Sequence, residues 1–519
     1  MTSENFFSEL DLLKAEIQSL RIQTLKQAEL EARLVAEVEW HREQFILLKR
    51  ALYGTKKERF ESQEQGCLFN EAEVEALKPE SDEGSESKVA VGGFTRARGK
   101  RKPLPDYLPR EIIVIELPKE EQFSADGTAL KVIGKEVSEK FVYEPASMKV
   151  IEYHRLRYGF GSGDPVKTAP PVPQIIPKGI ITASVLADIV VKKYADGLPL
   201  YRQEEIWDRQ GIEMSRTSMG RWVIQGAEAC IPIWNVLEER LMASSYVSAD
   251  ETRTQVLKEN ERPAESKSWM WIRATPVEVR KIVLFDYDPS RSGEVASRLF
   301  AGFKGFLQVD GYSGYNPLEK QEGVIRIGCN MHGRRGFDEA KIASKSNKGL
   351  SETGLRYYQK LYDLEEKYKM EALTPDERKR RRDQEAFPIW EAMKAWAETH
   401  LPKVPIKSKT GIALNYFLNQ YDLLRGYLQN GILEIDNGFA ERAIRKFAIG
   451  RNNWLFSDSV AGANASALFY SFVVTAKVNG VEPYQALKKI FEQIPAAKTV
   501  DDYERLADLL MVPEPKKAQ

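Results

Sequence analysis

Apolar residues recur at heptad spacing near the N-terminus. Residues 9–52 contain neither Pro nor Gly, and with Leu10 at position a most of the a and d positions are apolar. This pattern predicts one long helix that forms a coiled coil and makes the protein at least a dimer. An amphipathic helix that packs on its own chain is the alternative.

The pattern changes twice before residue 180. Residues 61–102 run from an acidic stretch into the basic segment 96–102, and they contain too few apolar residues to fold alone, which predicts a flexible linker. The basic segment either contacts phosphate or is simply solvated. Residues 103–164 contain segments that alternate between apolar and polar positions, which predicts a small β-rich module. A Pro-rich connector follows it at 165–177.

Residues 180–240 have the pattern of helices. A helix, a turn at Gly211 and a second helix capped by Ser215 follow the order of a helix-turn-helix, with Arg216 and Arg221 on the second helix. Many helical pairs share this order without binding DNA. DNA contact and plain helix packing therefore both stay open.

From residue 245 the pattern predicts strands, with one helix between them. An α/β layer follows from strands at 246–257, 269–274, 281–287, 305–312 and 324–328 and a helix at 292–300. Asp250 and Asp310 each lie at an apolar strand segment, where a buried acid is costly unless it is paired or binds a metal. Mg²⁺ prefers oxygen ligands. The two acids indicate a divalent-metal site, or else separate turn caps, because their spacing along the chain does not reveal their distance.

A third acid, Glu441, follows a turn at the start of a predicted helix. Asp436 or Asn437 is suited to cap that helix, and a carboxylate in its first turns suits the helix dipole. A surface ion pair with Arg445 is the simpler interpretation. The preceding residues 351–430 are rich in predicted helix and carry the basic run 378–382, which is either solvated or bound to phosphate.

Composition excludes several classes of protein. The 519 residues are 42% hydrophobic and balance 76 basic against 76 acidic residues, so any attraction to nucleic acid must come from local patches. No apolar run is long enough to span a membrane, and the N-terminus lacks the order of a signal peptide. The three cysteines, Cys67, Cys230 and Cys329, form no CxxC pair, which favours the reducing cytoplasm and argues against a cysteine-ligated metal.

Several motifs resemble one known family. The segments 248–252, 307–315, 332–337 and 436–445 resemble, in the same order, those of the transposase of the insertion-sequence-66 family, the TnpC type. The N-terminal helix ending at Leu52-Tyr53-Gly54 resembles its leucine-zipper region, and residues 475–484 resemble its C-terminal element. The resemblance covers nearly the whole chain.

The resemblance implies a multidomain α/β protein with an RNase H-like catalytic domain, and a DDE transposase that performs 3′-end cleavage and strand transfer. The family's three catalytic acids correspond to Asp250, Asp310 and Glu441, which would also hold Mg²⁺, with Mn²⁺ as a substitute. The implied partners are transposon ends, target DNA and small accessory proteins, in the cytoplasm and on the nucleoid. We expect DNA contacts from seven residues, with salt-bridged surface loops as the alternative for the last five: Arg216, Arg221, His332, Arg334, Arg335, Arg442 and Arg445.

One departure from the family concerns zinc. The family commonly carries a zinc-ribbon-like module with paired cysteines, but residues 103–164 contain no cysteine, so we expect no zinc there. Two other functions remain open: an inactive DNA-binding or assembly protein, and a metal-dependent nuclease without strand transfer. The predicted domains are a coiled-coil helix (1–60), a linker (61–102), a β-rich module (103–164), a helix-turn-helix-like region (165–240), a catalytic core (241–345 and 431–472), a helical insertion (346–430) and a C-terminal element (473–519).

Overall fold

The computed structural model describes residues 172–177, 179–344 and 349–512, together with separate positions between 16 and 45 and short pieces between 90 and 168. The chain divides into two units, Met1–Thr55 with Val172–Glu514, and Lys56–Pro171 with Pro515–Gln519. In the second unit two short antiparallel strand pairs are described, Ala90–Val91 with Phe94–Thr95 and Arg157–Tyr158 with Lys167–Thr168. Apart from Ile151, which is exposed, the rest of the predicted linker and β-rich module lies outside the described residues.

The described positions between 16 and 45 are helical. Leu20, Leu34, Val38 and Phe45, which occupy a and d positions of the predicted heptads, are each more than 50% exposed in the single chain. A row of exposed apolar side chains is what a coiled-coil seam presents before it pairs. The coiled coil stays a prediction.

Between residue 179 and the first strand of the sheet, the structure describes three helices: α1 (Ala183–Tyr194), α2 (Leu200–Arg209) and α3 (Arg216–Met242). The turn between α2 and α3 contains Gly211 at a φ of 76°, a conformation that glycine adopts without strain. The Ser215 hydroxyl caps α3 by accepting the Ser218 N–H. Met219, Val223, Leu237 and Leu241 bury one side of α3 in the core. This packing leaves Arg216 and Arg221 exposed on the other side.

A mixed five-stranded sheet forms the centre of the first unit. Its strands, with one helix and two short strands near them, are β1 (Tyr246–Thr254), β2 (Val256–Lys258), β3 (Ser268–Ala274), β4 (Val283–Asp288), α4 (Gly293–Leu299), β5 (Gly305–Val309), β6 (Val324–Gly328) and β7 (Ser457–Ser459). The order in the sheet is β6-β5-β1-β3-β4, in which β1, β3 and β4 are antiparallel neighbours and β1, β5 and β6 are parallel neighbours. Helix α4 connects β4 to β5, and the short strands β2 and β7 pair with each other in parallel.

The two faces of the sheet pack into different cores. Val247 and Ala249 of β1 enter a large core that also includes α1 and α3. Tyr246, one position away and therefore on the opposite face, enters an aromatic core around Trp390. The second core is built by helices that follow β6: α5 (Asn330–Ser344), α6 (Leu350–Met370), α8 (Phe387–His400), α9 (Lys409–Asn419) and α10 (Tyr421–Leu424). Helix α7 (Pro375–Arg381), between α6 and α8, contributes no buried residue.

The sequence suggested that the basic run at 378–382 is solvated, but the structure buries one of its residues. Arg382 is fully buried and donates to both carboxylate oxygens of Glu365 and to the carbonyls of Tyr427, Asn430 and Leu433. The solvated interpretation is therefore wrong for this residue. A guanidinium presents five donors, and here they tie the insertion together internally.

Four helices complete the first unit: α11 (Gly438–Trp454), α12 (Val460–Val478), α13 (Pro483–Gln493) and α14 (Val500–Asp508). Helix α12 covers the edge strand β4, because the Ser471 and Thr475 hydroxyls accept the N–H groups of Phe285 and Val283. These side chains satisfy donors that an open sheet edge would expose. Within the described residues, no helix has both the length and the apolar character needed to cross a membrane.

Candidate active site

Strands β1 and β5 bring Asp250 and Asp310 together. The parallel pairing matches Tyr246 with Phe306, Val247 with Leu307 and Ser248 with Gln308. Continued by two residues, this register sets Asp250 opposite Asp310, at the point where β5 ends. Adjacent strands lie about 4.8 Å apart, and residues at matching levels point to the same face.

Glu441 reaches these acids from the first turn of α11. Asn437 occupies the N-cap position, but its side-chain Nδ2 donates 2.7 Å to the Ala249 carbonyl of β1, while Asp436 Oδ1 accepts the Gly438 N–H at 2.8 Å. The Asn437 bond ties the start of the helix to the strand that carries Asp250, and the Asp436 bond stabilises the turn before the helix. Glu441 is only 7% exposed, so it is not the surface residue of the simpler interpretation.

The carboxyl of Asp250 is affected by burial and by the charges of the neighbouring acids. Burial, followed by the negative charges of Glu251, Glu441 and Asp310, raises the pKa of the Asp250 carboxyl well above its usual range. Like charges in a desolvated site disfavour ionisation. The oxygen donors of Asp250, Asp310 and Glu441 are therefore suited to a divalent cation, which would offset their charge.

Cys329, just before α5, and two residues of α5 lie beside Glu441. His332 Nδ1 lies 3.5 Å from one carboxylate oxygen, and Arg335 donates to the other at 3.4 Å. Cys329 Sγ lies 3.6 Å from the first oxygen. Burial lowers the pKa of the His332 imidazole, although the charges of Glu441 and Asp310 oppose that shift. Of the cationic residues predicted from this segment, two thus meet the acids directly.

The remaining predicted DNA contacts are more dispersed. Arg334 and Arg442 are exposed, and Arg445 is partly buried. Arg216 at the start of α3 lies 3.8 Å from the Glu204 carboxylate, while Arg221 is exposed one turn further along.

Sequence analysis missed a second cluster beside the acids. Glu251 is buried and accepts the Arg291 Nε at 2.6 Å and the Tyr315 hydroxyl. The Arg291 guanidinium lies 3.6 Å from the centre of the Tyr312 ring, and the Tyr312 N–H donates 2.9 Å to Asp310. The available signal was the pair Asp250-Glu251, since adjacent strand residues point to opposite faces. Glu251 is thus a buried anchor beneath the site.

Gln308 joins the central strands to the chain that leads into α11. It is fully buried; its side chain accepts the Tyr246 hydroxyl at 2.5 Å and donates to the Gly328 and Glu434 carbonyls at 3.2 and 3.0 Å. The segment before Glu441 is thereby held at the level of the two aspartates.

Models of known families match three parts of the chain. The model described as Transposase IS66 family matches residues 178–465, which is more than half of the chain and includes all three acids. The chain belongs to the IS66 transposase family. The family's C-terminal element matches residues 471–507, and the element described as Transposase C of IS166 homeodomain matches residues 40–113.

Relatives of this IS66-family chain occur in Sinorhizobium fredii. The uncharacterized protein y4qI is 30% identical over 478 residues, covering 89% of this chain and 86% of the relative. The uncharacterized protein y4jD is 27% identical over 497 residues, covering 93% and 96%. The similarity thus extends through both ends of the transposase domain.

Proposed function

We propose that this IS66-family protein is a DDE transposase that cleaves transposon DNA to free its 3′ ends and joins them to target DNA. The observation that carries the proposal is the strand register that places Asp250 opposite Asp310, with Glu441 near enough for its charge to add to burial in raising the pKa of the Asp250 carboxyl. Asp250 and Asp310 are partly buried and Glu441 is buried, and a metal ion would offset the cost of placing these acids near one another. A mixed sheet with two of the acids on adjacent central strands supports an RNase H-like catalytic domain.

The donor set fits Mg²⁺, with Mn²⁺ as a substitute. Asp250, Asp310 and Glu441 would hold the metal through carboxylate oxygens. When bound, the metal supplies activation of a water or DNA hydroxyl and stabilisation of the leaving oxygen.

The protein positions the reacting groups. Asp250 and Asp310 are held by paired strands, and Glu441 by the bonds of Asn437 and Asp436 at the start of α11. Arg335, 45% exposed and beside Glu441, faces outward where a DNA phosphate would approach, and a guanidinium can bind phosphate through two parallel hydrogen bonds. Both reactions are phosphoryl transfers to an oxygen nucleophile and need no covalent protein–DNA intermediate.

The other parts of the chain supply DNA binding and assembly in this proposal. The exposed Arg216, Arg221, Arg334 and Arg442, with Arg445, would contact phosphates, and the N-terminal helix would form a dimer. The protein would act in the cytoplasm on the nucleoid, with small accessory proteins as further partners. The cysteine-free module at 103–164 would fold without zinc.

The test is Mg²⁺- or Mn²⁺-dependent cleavage and joining of DNA that carries the element's own ends. Wild type is compared with Glu441→Gln and with the matched control Glu339→Gln, a mostly exposed glutamate of α5. We expect wild type and the control to cut and join, and Glu441→Gln to bind the ends without cutting. If Glu441→Gln cleaves as well as wild type does, Glu441 is not a residue of the active site.

Two further outcomes identify the alternatives. If wild type binds the ends but never cuts them, even with accessory proteins, the chain is an assembly protein. If it cuts but does not join pre-cleaved ends to a target plasmid, it is a nuclease without strand transfer.

A further inference from the structure

Three side chains with different ligand atoms meet at one edge of the carboxylate site. The ligand atoms of Cys329, His332 and Glu441 all lie within 4.8 Å of one another. Glu441 Oε1 is 3.6 Å from Cys329 Sγ and 3.5 Å from His332 Nδ1. In tetrahedral zinc sites, bonds of about 2.0–2.3 Å place neighbouring ligand atoms roughly 3.3–3.7 Å apart. Two edges of such a tetrahedron therefore already have the required length.

The local structure prepares these ligands. Cys329 directly follows β6, and His332 is three residues further on at the start of α5, a spacing that puts both on one side of a helical turn. Cys329 is fully buried, and its Sγ accepts the Asn437 N–H at 3.3 Å. This donor favours a thiolate, but burial and the charges of Glu441 and Asp436 raise the pKa of the Cys329 thiol, so a bound cation would have to displace its proton.

His332 provides an independent indication of a ligand. Its Nδ1 is buried and makes no hydrogen bond within the described residues, although it faces the Glu441 carboxylate. Buried polar atoms of native proteins nearly always have a partner. Several other described side chains also carry such an atom, so it is the position of this nitrogen beside Cys329 and Glu441 that points to a ligand. His332 Nδ1 lies next to the Glu441 carboxylate and near the Cys329 thiol, which is a position suited to a metal ligand.

We propose that Cys329, His332 and Glu441 form a Zn²⁺ site, and that zinc bound there competes with magnesium for Glu441. Thiolate and imidazole select zinc, whereas magnesium prefers oxygen. The thiol would release its proton to solvent on binding, and the fourth position would remain for water. The competition rests on the proposed function; the binding does not. The site differs from the cysteine-rich module expected of the family, because it combines one cysteine with a distant glutamate.

Cobalt binding tests the site without reference to activity. The full-length protein with Cys67→Ser is titrated with Co²⁺, a coloured substitute for zinc, and the sulfur-to-cobalt charge-transfer band is recorded. We expect one equivalent of Co²⁺ to produce the band and Zn²⁺ to displace it. Cys329→Ser should abolish the band. Cys230→Ser, which removes an equally buried cysteine on α3, should keep it.

A second variant guards against misfolding. The thermal melting curve of Cys329→Ser shows whether that variant is folded. His332→Gln changes a partly exposed position; it should weaken cobalt binding at least tenfold, while the charge-transfer band should persist at saturating Co²⁺. Absence of the band in the parent protein, or a band that survives Cys329→Ser, would overturn the site.

Zinc inhibition tests the competition. Mg²⁺-dependent cleavage is titrated with Zn²⁺, and each variant is compared with its own zinc-free rate. We expect the half-inhibitory zinc concentration to rise at least tenfold in Cys329→Ser, and to rise with added Mg²⁺ in the parent. Unchanged zinc sensitivity in Cys329→Ser would overturn the competition. Failure of zinc-free protein to cleave would instead refute the transposase proposal and leave the cobalt result standing.

Discussion

Asp250 lies opposite Asp310 because the two acids are as far apart in the sequence as the residues that pair between β1 and β5. The strands match 246 with 306 through 248 with 308, an offset of 60, and 310 − 250 is also 60. A shift of the register by one residue would turn one acid to the opposite face of the sheet. The geometry of the candidate site therefore depends on this pairing, and the predictions below start from it.

Asp310→Asn should abolish cleavage while leaving DNA binding intact. The amide keeps the shape of the side chain but removes a metal ligand, and we expect a loss of about 10³-fold or more, or roughly 4 kcal/mol of transition-state stabilisation. Single-turnover cleavage and a binding assay on the same DNA measure the two effects. Asp338→Asn, at an exposed position of α5, is the control. Comparable losses in both variants would contradict the assignment.

The metal-free protein should lose stability as pH rises, in a way that depends on Asp250. Because its folded-state pKa is raised, the stability linked to this group is present below the unfolded pKa of about 4 and is lost as pH rises through the folded value. In EDTA, as pH rises from about 4 through the folded pKa of Asp250, the Tm of wild type should fall by about 2–4 °C more than the Tm of Asp250→Asn. Mg²⁺ should restore the wild-type Tm more than that of the variant. If the Tm of the two proteins changes with pH in the same way, Asp250 is not the group that causes the loss of stability.

Asn437→Asp should slow cleavage by displacing Glu441. The Nδ2 that donates 2.7 Å to the Ala249 carbonyl would be replaced by an oxygen that repels it. We expect a destabilisation of about 1–3 kcal/mol and a fall in kcat with little change in DNA affinity. Asn452→Asp, at an exposed position on the same helix, is the control. If affinity falls and kcat does not, Asn437 is not a positioning residue.

Arg382→Met should destabilise the insertion without affecting DNA binding. Removal of the buried guanidinium leaves Glu365 charged and unpaired, at a cost of about 3–5 kcal/mol. The double variant with Glu365→Leu should recover part of this loss, which urea unfolding of both proteins measures. The exposed Arg380→Ala should change stability by less than about 0.5 kcal/mol. A loss of DNA affinity in folded Arg382→Met would instead show a phosphate contact.

Local patterns in the sequence predicted most of the elements. The strand at 324–328 has the predicted bounds, and the helix expected at 292–300 is present at Gly293–Leu299. The first strand, predicted as 246–257, instead ends at Thr254, and the three-residue strand Val256–Lys258 pairs separately with Ser457–Ser459. Periodicity is a property of neighbouring residues, so it locates elements well and their partners poorly.

The sequence by itself determined the elements, the family and the residues that could serve as ligands. Only the tertiary structure decided which of them meet. The register of β1 with β5, the burial of Arg382, and the meeting of Cys329 with Glu441, which are 112 residues apart, all depend on long-range packing. The physical reason is that the charge, pKa and ligand partners of a side chain depend on the residues around it in space. The periodicity of apolar residues carries information only about residues that are near one another in the sequence.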